Sequence, residues 1–352
     1  MNKSIHRLIL SLLVLVLMAS LTAFTAVETG STARNPSQVV VANRGSGTIS
    51  VIDANSDVLI GTYALPAGAQ APEPMYVVYT PAKNRIFVGD RANDRVVVFD
   101  ARNFSVVGTV ATGQGVFHMW ADPQNQQLWV NNDIDNTTTV IDPKTLEILA
   151  TVPTPADLVA QGGKPHDVIL DPTGDYAYIT VLGLAGPNDY VVKFSTETFA
   201  EVDRAPVGKD PHLSLARQNN LLYVPSQNSD VVVVLDRTTL DAVTDIPVPG
   251  AHGAGMAKNG KVFYTTNLPG GGASGLFAID TQTNTVIGAV DTPYAVPHNI
   301  ALTSNGKKVF ITHSGATSDK VTIYTSSPTS GLPSLSGEVT VGLNPFGLAF
   351  IP

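Results

Sequence analysis

From Val39 onward the chain alternates short apolar runs with polar turns, and no stretch there holds a 3.6-residue period. The runs are a few residues long, rich in Val, Ile, Thr, Phe and Tyr, and bounded by Gly, Asn, Asp or Pro. This is the pattern of β-strands. Segments such as Asp171-Pro172-Thr173-Gly174-Asp175 and Ser304-Asn305-Gly306-Lys307 carry the residues that tight reversals require.

The strands fall into a recurring unit: a strand, a turn, a second strand, a polar loop, a strand ending in Asp, a turn and a last strand. Seven copies are present, beginning at Val39, Arg85, Gln127, Ala177, Leu221, Val262 and Val309. Four short strands in about 40 to 50 residues is the spacing of a propeller blade. The expected fold is therefore all-β, a seven-bladed β-propeller with four-stranded blades, spanning residues 27–352 as one domain. The first copy begins at its second strand. The chain ends on Asn344-Pro345-Phe346-Gly347-Leu348-Ala349-Phe350, which matches the inner-strand openings Lys164-Pro165-His166 and Val296-Pro297-His298. The C-terminal strand should therefore complete blade 1 and close the ring.

Composition narrows the classes. Charged residues are 14% of the chain and the formal net charge is −8, so a nucleic-acid partner, which needs clustered cations, is not expected. There is no cysteine, which excludes disulfides, thiolate metal sites and a lipidated cysteine. Lys3, His6 and Arg7 precede the apolar run Leu8 to Leu21, the layout of an export signal over residues 1–26, with Ala23 or Ala26 as its end. Leu21 and Phe24 fit poorly at the −3 positions, so an uncleaved anchor is the alternative and would be the only membrane contact. The expected location is the periplasm or the cell exterior.

Aligning the inner-strand openings places Met75, His118, His166, His212, His252, His298 and Phe346 at one repeat position. Outside residues 1–26 there are six histidines, and five fall on this position. The sixth, His313, ends the second strand of the last blade, on the same face as His298. Loops after the other second strands bring Arg44, Asp90, Arg91, Asn131, Asn132, Gln227 and Asn267 to that face. Imidazoles gathered at a channel mouth suit a transition metal, so His118, His166, His212, His252, His298 and His313 are the candidate ligands. Copper is favoured if the Met75 thioether reaches the ion; zinc and iron come next. The competing reading is structural: duplication can spread a Pro-His pair whose rings merely bond to neighbouring blades.

Tyr264-Thr265-Thr266-Asn267, Val140-Ile141-Asp142 and the segment Ile279–Val286 resemble the YVTN-type β-propeller repeat family over nearly all of the chain after the signal. That resemblance implies the fold and leaves function open, since members include surface-layer proteins, binding proteins and parts of enzymes. The ring of histidines is similar to the one that binds a copper cluster in the propeller domain of nitrous oxide reductase, and copper-binding methanethiol oxidases are also propellers. The cysteine-containing electron-entry domain of the reductase has no counterpart here.

Three functions follow. The first is metal binding for a periplasmic redox or metal-handling role. The second is a non-enzymatic scaffold that binds a protein or small molecule on the top face. A lactonase-like or lyase-like enzyme with one channel histidine as general base ranks last, because it needs one or two such residues and not five. Asp133-Ile134-Asp135-Asn136 lacks the glycine and the final acid of a calcium loop and reads as a connecting loop.

Overall fold

The computed structural model describes residues 37–268, 270–327 and 331–352. The proposed export segment and its cleavage positions lie outside them. Seven four-stranded antiparallel sheets follow one another as blades, and helix is confined to Ala156–Val159 and two short 3₁₀ turns among the described residues. The inner strands of blades 2 to 7 are Pro74–Thr80, Val116–Ala121, Lys164–Leu170, Ser214–Leu215, Ala251–Met256 and Pro297–Leu302. The inner strand of blade 1 is Pro345–Ile351, which pairs antiparallel with Gln38–Asn43 and joins the two ends of the chain in one sheet.

Alternation along each strand explains how the blades adhere. Every residue of Gln38–Asn43 is buried, because both faces of the sheet meet a neighbour. Val40 and Ala42 pack with Ile86, Val88 and Val97 of blade 2, whereas Val39 and Val41 pack with Phe310, Val321 and Ile323 of blade 7. The same division recurs around the ring, so the core is a series of interfaces between blades.

One irregularity shapes the channel. In the inner strand of blade 4, Pro165 pairs with Val181 and Val168 with Ile179, which leaves His166 and Asp167 together opposite Thr180 alone. This is a β-bulge, and it ends strict alternation, so two consecutive side chains can serve the same region. Thr180 Oγ1 stabilises it by accepting the Asp167 N–H at 2.8 Å. Equivalent register shifts occur at Pro74/Val77, Val116/Met119, Ala251/Ala254 and Pro297/Ile300.

Candidate functional site

Side chains around the axis fall into two layers, set by the bulges in every blade but blade 5, where Pro211↔Ser226 and Ser214↔Tyr223 keep one register. The first holds Met75, Phe117, His166, His212, His252, His298 and Phe346, each one residue beyond the position that pairs with the last or, in blade 4, the penultimate residue of its blade's second strand. His118 is therefore not in this layer. Val116, not Phe117, is the counterpart of Pro165, since Val116 pairs with Asn132 and Pro165 with Val181. The alignment of His118 with the other four histidines is corrected by one residue: Phe117 takes the ring position and His118 falls in the layer below, level with Tyr76, Asp167 and Asn299.

The first layer is packed ring against ring. Centroids are 4.5 Å apart for Phe117 and His166, 4.9 Å for His166 and His212, and 3.7 Å for His212 and His252. The series continues at 4.7 Å to His298 and 4.0 Å to Phe346. Met75 is buried with Phe346 and Val116 in an apolar cluster. The Arg44 guanidinium lies 5.7 Å from the Phe346 ring centre and that of Arg91 lies 5.8 Å from Phe117, so both cations cover the aromatic side of the mouth. Arg91 is also paired with Asp133 at 2.9 Å, which gives the Asp133 loop its structural role.

Hydrogen bonding separates the six candidate ligands. His313 is directed into its own blade: Nδ1 faces the Ala295 carbonyl at 3.2 Å and Nε2 faces Thr322 Oγ1 at 2.9 Å. It occupies the strand-end position that Asn43 and Asn132 hold in blades 1 and 3, where a polar side chain ties the second strand to the third. The expectation that His313 joins His298 is thus corrected. His118 Nδ1 accepts the Val168 N–H at 3.1 Å, His252 Nδ1 contacts Gln227 Oε1 at 2.8 Å, and His298 Nδ1 contacts Asn299 Nδ2 at 2.7 Å. His166 Nε2 and His212 Nε2 are buried without a hydrogen-bond partner, and so is Asp167 Oδ1. These three residues form one group whose ligand atoms lie within 4.8 Å of one another.

The charges in the group are set by mutual contact. Burial would raise the Asp167 carboxyl, but His118 and His212 outweigh it and hold it well below the usual carboxylate range. Burial likewise opposes charge on His212, yet the Asp167 carboxylate, 3.5 Å from Nδ1, raises its pKa. The second oxygen of Asp167 accepts the Leu213 N–H at 3.1 Å. Around this pair the other imidazoles are kept neutral. Burial and then the His212 charge lower His166 and His298 to about 3 and hold His252 well below its ordinary value. Burial also lowers His118.

Asp167 escaped sequence reasoning, because an acidic residue beside His166 should face away in a regular strand. The available signal was Thr180, with Thr266 and Thr312 at the same place in blades 6 and 7; the hydroxyl of each accepts a bulge N–H.

Below the first layer the axis opens into a cavity of about 720 Å³, lined by Tyr76, His118, Asp167, His212 and His252 at its upper end. It continues along the inner strands to the turns at Pro81, Asp122 and Pro172. Gly253 is needed in the second layer: a Cβ there would collide with the His298 carbonyl oxygen. Gly253→Ala should therefore lower stability by about 1–3 kcal/mol through overpacking, read as a shift of the denaturant midpoint; an unchanged midpoint would show slack in this layer.

A family model for seven-bladed β-propeller lactonases matches residues 23–249, more than half of the chain. The chain belongs to the seven-bladed β-propeller lactonase family. Solved structures agree on the fold of this lactonase-family propeller. A protein from Lactobacillus plantarum superposes with TM-score 0.71 at 17% identity, covering 90% of this chain and 100% of that one. The periplasmic gluconolactonase of Pseudomonas aeruginosa gives 0.68 at 18% identity, covering 90% and 99%. Hydrazine synthase of Kuenenia stuttgartiensis gives 0.66 at 18%, covering 78% and 89%. No curated protein matches this lactonase-family propeller.

Proposed function

We propose that this lactonase-family propeller is a metal-dependent hydrolase of cyclic esters. In this reading one transition-metal ion is held by His166 Nε2, His212 Nε2 and the carboxylate of Asp167. The observation that carries it is a buried group, His166, Asp167 and His212, whose ligand atoms lie within 4.8 Å of one another and in which His166 Nε2 and His212 Nε2 have no hydrogen-bond partner. Leaving such atoms unmet costs about 1–3 kcal/mol each, and a ligand removes that cost. The donor set fits: two imidazoles and a carboxylate serve zinc or iron and leave further coordination positions open. Copper, favoured on an all-imidazole ring with a thioether, loses ground because a carboxylate enters the set and Met75 is buried among apolar side chains. Family membership moves the reaction from redox or metal-handling work to hydrolysis, the class that the sequence ranked last.

An ion bound there would lower the pKa of a coordinated water toward neutrality. Hydrolysis adds the elements of water across the acyl C–O bond of the ring, and the product is an open-chain hydroxy acid. Asp167 and His212 fix the position of the group from two adjacent blades. With Nδ1 accepting from Val168, neutral His118 carries its proton on Nε2, and it lines the same cavity as Tyr76. These are donors for the carbonyl oxygen of the ester as it gains negative charge. We also place the mature chain outside the cytoplasm, on the strength of residues 1–26; N-terminal sequencing of protein recovered from cell fractions checks it.

Protein purified without a chelating tag and then loaded with zinc, iron(II) or copper(II) should retain about one ion per chain. His212→Asn and Asp167→Asn should each weaken retention at least tenfold, and opening of glucono-δ-lactone in a pH-stat should track occupancy. Metal at background after loading, or turnover undiminished by EDTA, would overturn the proposal.

A further inference from the structure

The fourth strand of each blade is an open edge, and three of these edges differ from the rest. In blades 1 to 3 they are Val58–Ala64, Val106–Ala111 and Ile148–Pro153. Val58, Leu59 and Ile60, then Val106 and Val107, then Ile148 and Leu149 keep 38–54% of their surface exposed. None of the three strands carries a charged residue. Blades 4 to 7 each expose one large aliphatic side chain on the rim among the described residues: Val202, Val243, Val286 and Leu335. Val202 stands between Glu201 and Asp203, and Arg204 is paired with Glu201. Charges on an edge strand keep other surfaces away, and blades 1 to 3 lack them. Scattered exposed aliphatics are ordinary, whereas seven on consecutive blades form a patch.

The patch is continuous from blade to blade. Tyr63 of the first strand meets Phe104, at the turn before the second, with ring centroids 4.7 Å apart. Leu146, at the turn before the third, lies over Gly108, where a Cβ would collide with its methyl group. The exposed residues open each strand beside the turns of one face of the disc: Val58 pairs with Asp53, Val106 with Phe99 and Ile148 with Ile141.

The chain enters the propeller at the same place. Gln38 pairs with Asp53 and Asp53 with Val58, so the three lie in one row, and strand spacing puts Gln38 about 10 Å from the patch. The Ser37 carbonyl accepts the Ala54 N–H at 2.8 Å, in the turn that leads to Val58. The apolar run Leu8 to Leu21 therefore joins the propeller beside these side chains, through residues 22–36. That connection spans at most about 50 Å. A bilayer that holds the run, in transit or permanently, thus lies within that distance of the patch.

We propose that the rim of blades 1 to 3 docks on a lipid bilayer, which adds a second membrane contact to that of the N-terminal segment and holds the disc edge-on. The aliphatic side chains enter the acyl-chain boundary. The open backbone edges stay level with the headgroups, where water and ester oxygens meet their hydrogen-bonding groups. Flanking charges offset one another, Asp57 with Lys308 and Asp100 with Arg102, so apolar burial carries the binding. A second copy paired along one edge strand would cover one blade and leave the other two exposed. A soft bilayer follows the convex rim across all three. Edge-on docking leaves both ends of the channel open to water, and it is independent of the chemistry proposed there.

Every strand of the seven blades lies between Gln38 and Ile351, so a chain starting at residue 27 keeps the whole propeller and reports the rim without the apolar run. It should float with phosphatidylcholine vesicles in a density gradient, equally in low and high salt. Leu59→Thr, Val107→Thr and Leu149→Thr together keep β-branched residues on the edges and should lower vesicle affinity at least tenfold, with Tm unchanged. The matching change elsewhere on the rim, Val202→Thr, Val243→Thr and Leu335→Thr, should leave affinity as it was. No flotation at millimolar lipid, or equal losses from the two variants, would overturn the proposal. A dimer in light scattering that the first variant dissociates would also overturn it, and would assign the patch to a second copy.

Discussion

A chain ended at Leu343 is expected to lose the native fold as a whole. The nine residues removed include the entire inner strand of blade 1, whose partners are Gln38↔Ile351, Val39↔Phe350, Val40↔Ala349 and Val41↔Leu348. Its loss exposes the backbone edge of Gln38–Asn43, whose side chains are all buried between blades 2 and 7. It also removes Phe346 from the aromatic layer and the carbonyl that accepts the Thr312 hydroxyl at 2.6 Å. A propeller has no spare strand to fill such a gap. The cost should exceed about 5 kcal/mol, comparable with the whole net stability of an ordinary domain. Circular dichroism melting should show loss of the cooperative transition or a very large fall in Tm. A truncated protein that melts like the full chain would refute closure by the C-terminal strand.

Acidification should weaken the metal-free protein through the imidazoles, and the sign follows from their direction of shift. His166 and His298 titrate at about 3 when folded, against an ordinary value near 6.5, so the unfolded chain takes up protons first as the pH falls. Stability is therefore lost progressively from about pH 6.5 down to about pH 3, and at pH 4 each such group is worth about 3 kcal/mol. His252 and His118 act in the same direction. His212 acts oppositely: its raised pKa adds stability below its ordinary value that fades as the pH rises through the folded one. Asp167 contributes stability above the ordinary carboxylate range and loses it only in stronger acid. The lowered imidazoles outnumber the raised one, so Tm in EDTA should fall steeply between pH 7 and pH 4. His298→Phe, which copies Phe117 and Phe346 at the same ring position, should flatten that slope. Equal slopes for the two proteins would show that His298 does not titrate as argued.

Much of this molecule was legible because its signals are local and repeated. Val39–Asn43 and its counterparts declare strands by β-branched content, and Pro345-Phe346 declares closure by likeness to Pro165-His166. The candidate site was legible in part. Aligning histidine with histidine placed His118 one residue wrong, because blade 3 lacks the proline that marks the register in blades 1, 2, 4, 5 and 7, and backbone pairing follows Val116. Adjacent residues His166 and Asp167 serve one group only because a bulge suspends alternation, which a hydrophobic pattern does not record. His313 misled for the reverse reason: its place at a strand end gives the right face of the disc but the wrong direction for its ring. The family assignment raised hydrolysis above the roles that imidazole chemistry alone favoured.

The repeated bulge makes the channel chemistry portable. Each shifted inner strand presents two successive positions to the axis, and the backbone that aims them is held by partners outside the pair, such as Thr180, Thr266 and Thr312. A new side chain at either position inherits its direction from the strand beneath. Blade 5 departs from this rule: Pro211↔Ser226 and Ser214↔Tyr223 keep one register, and Leu213 is buried in an apolar cluster with Val207, Leu222 and Val224. Blade 6 is closed to a larger side chain at the second position, because the His298 carbonyl fills the space beside Gly253. Sevenfold repetition thus gives evolution several addresses for one reaction, and crowding between neighbouring blades decides which of them can be occupied.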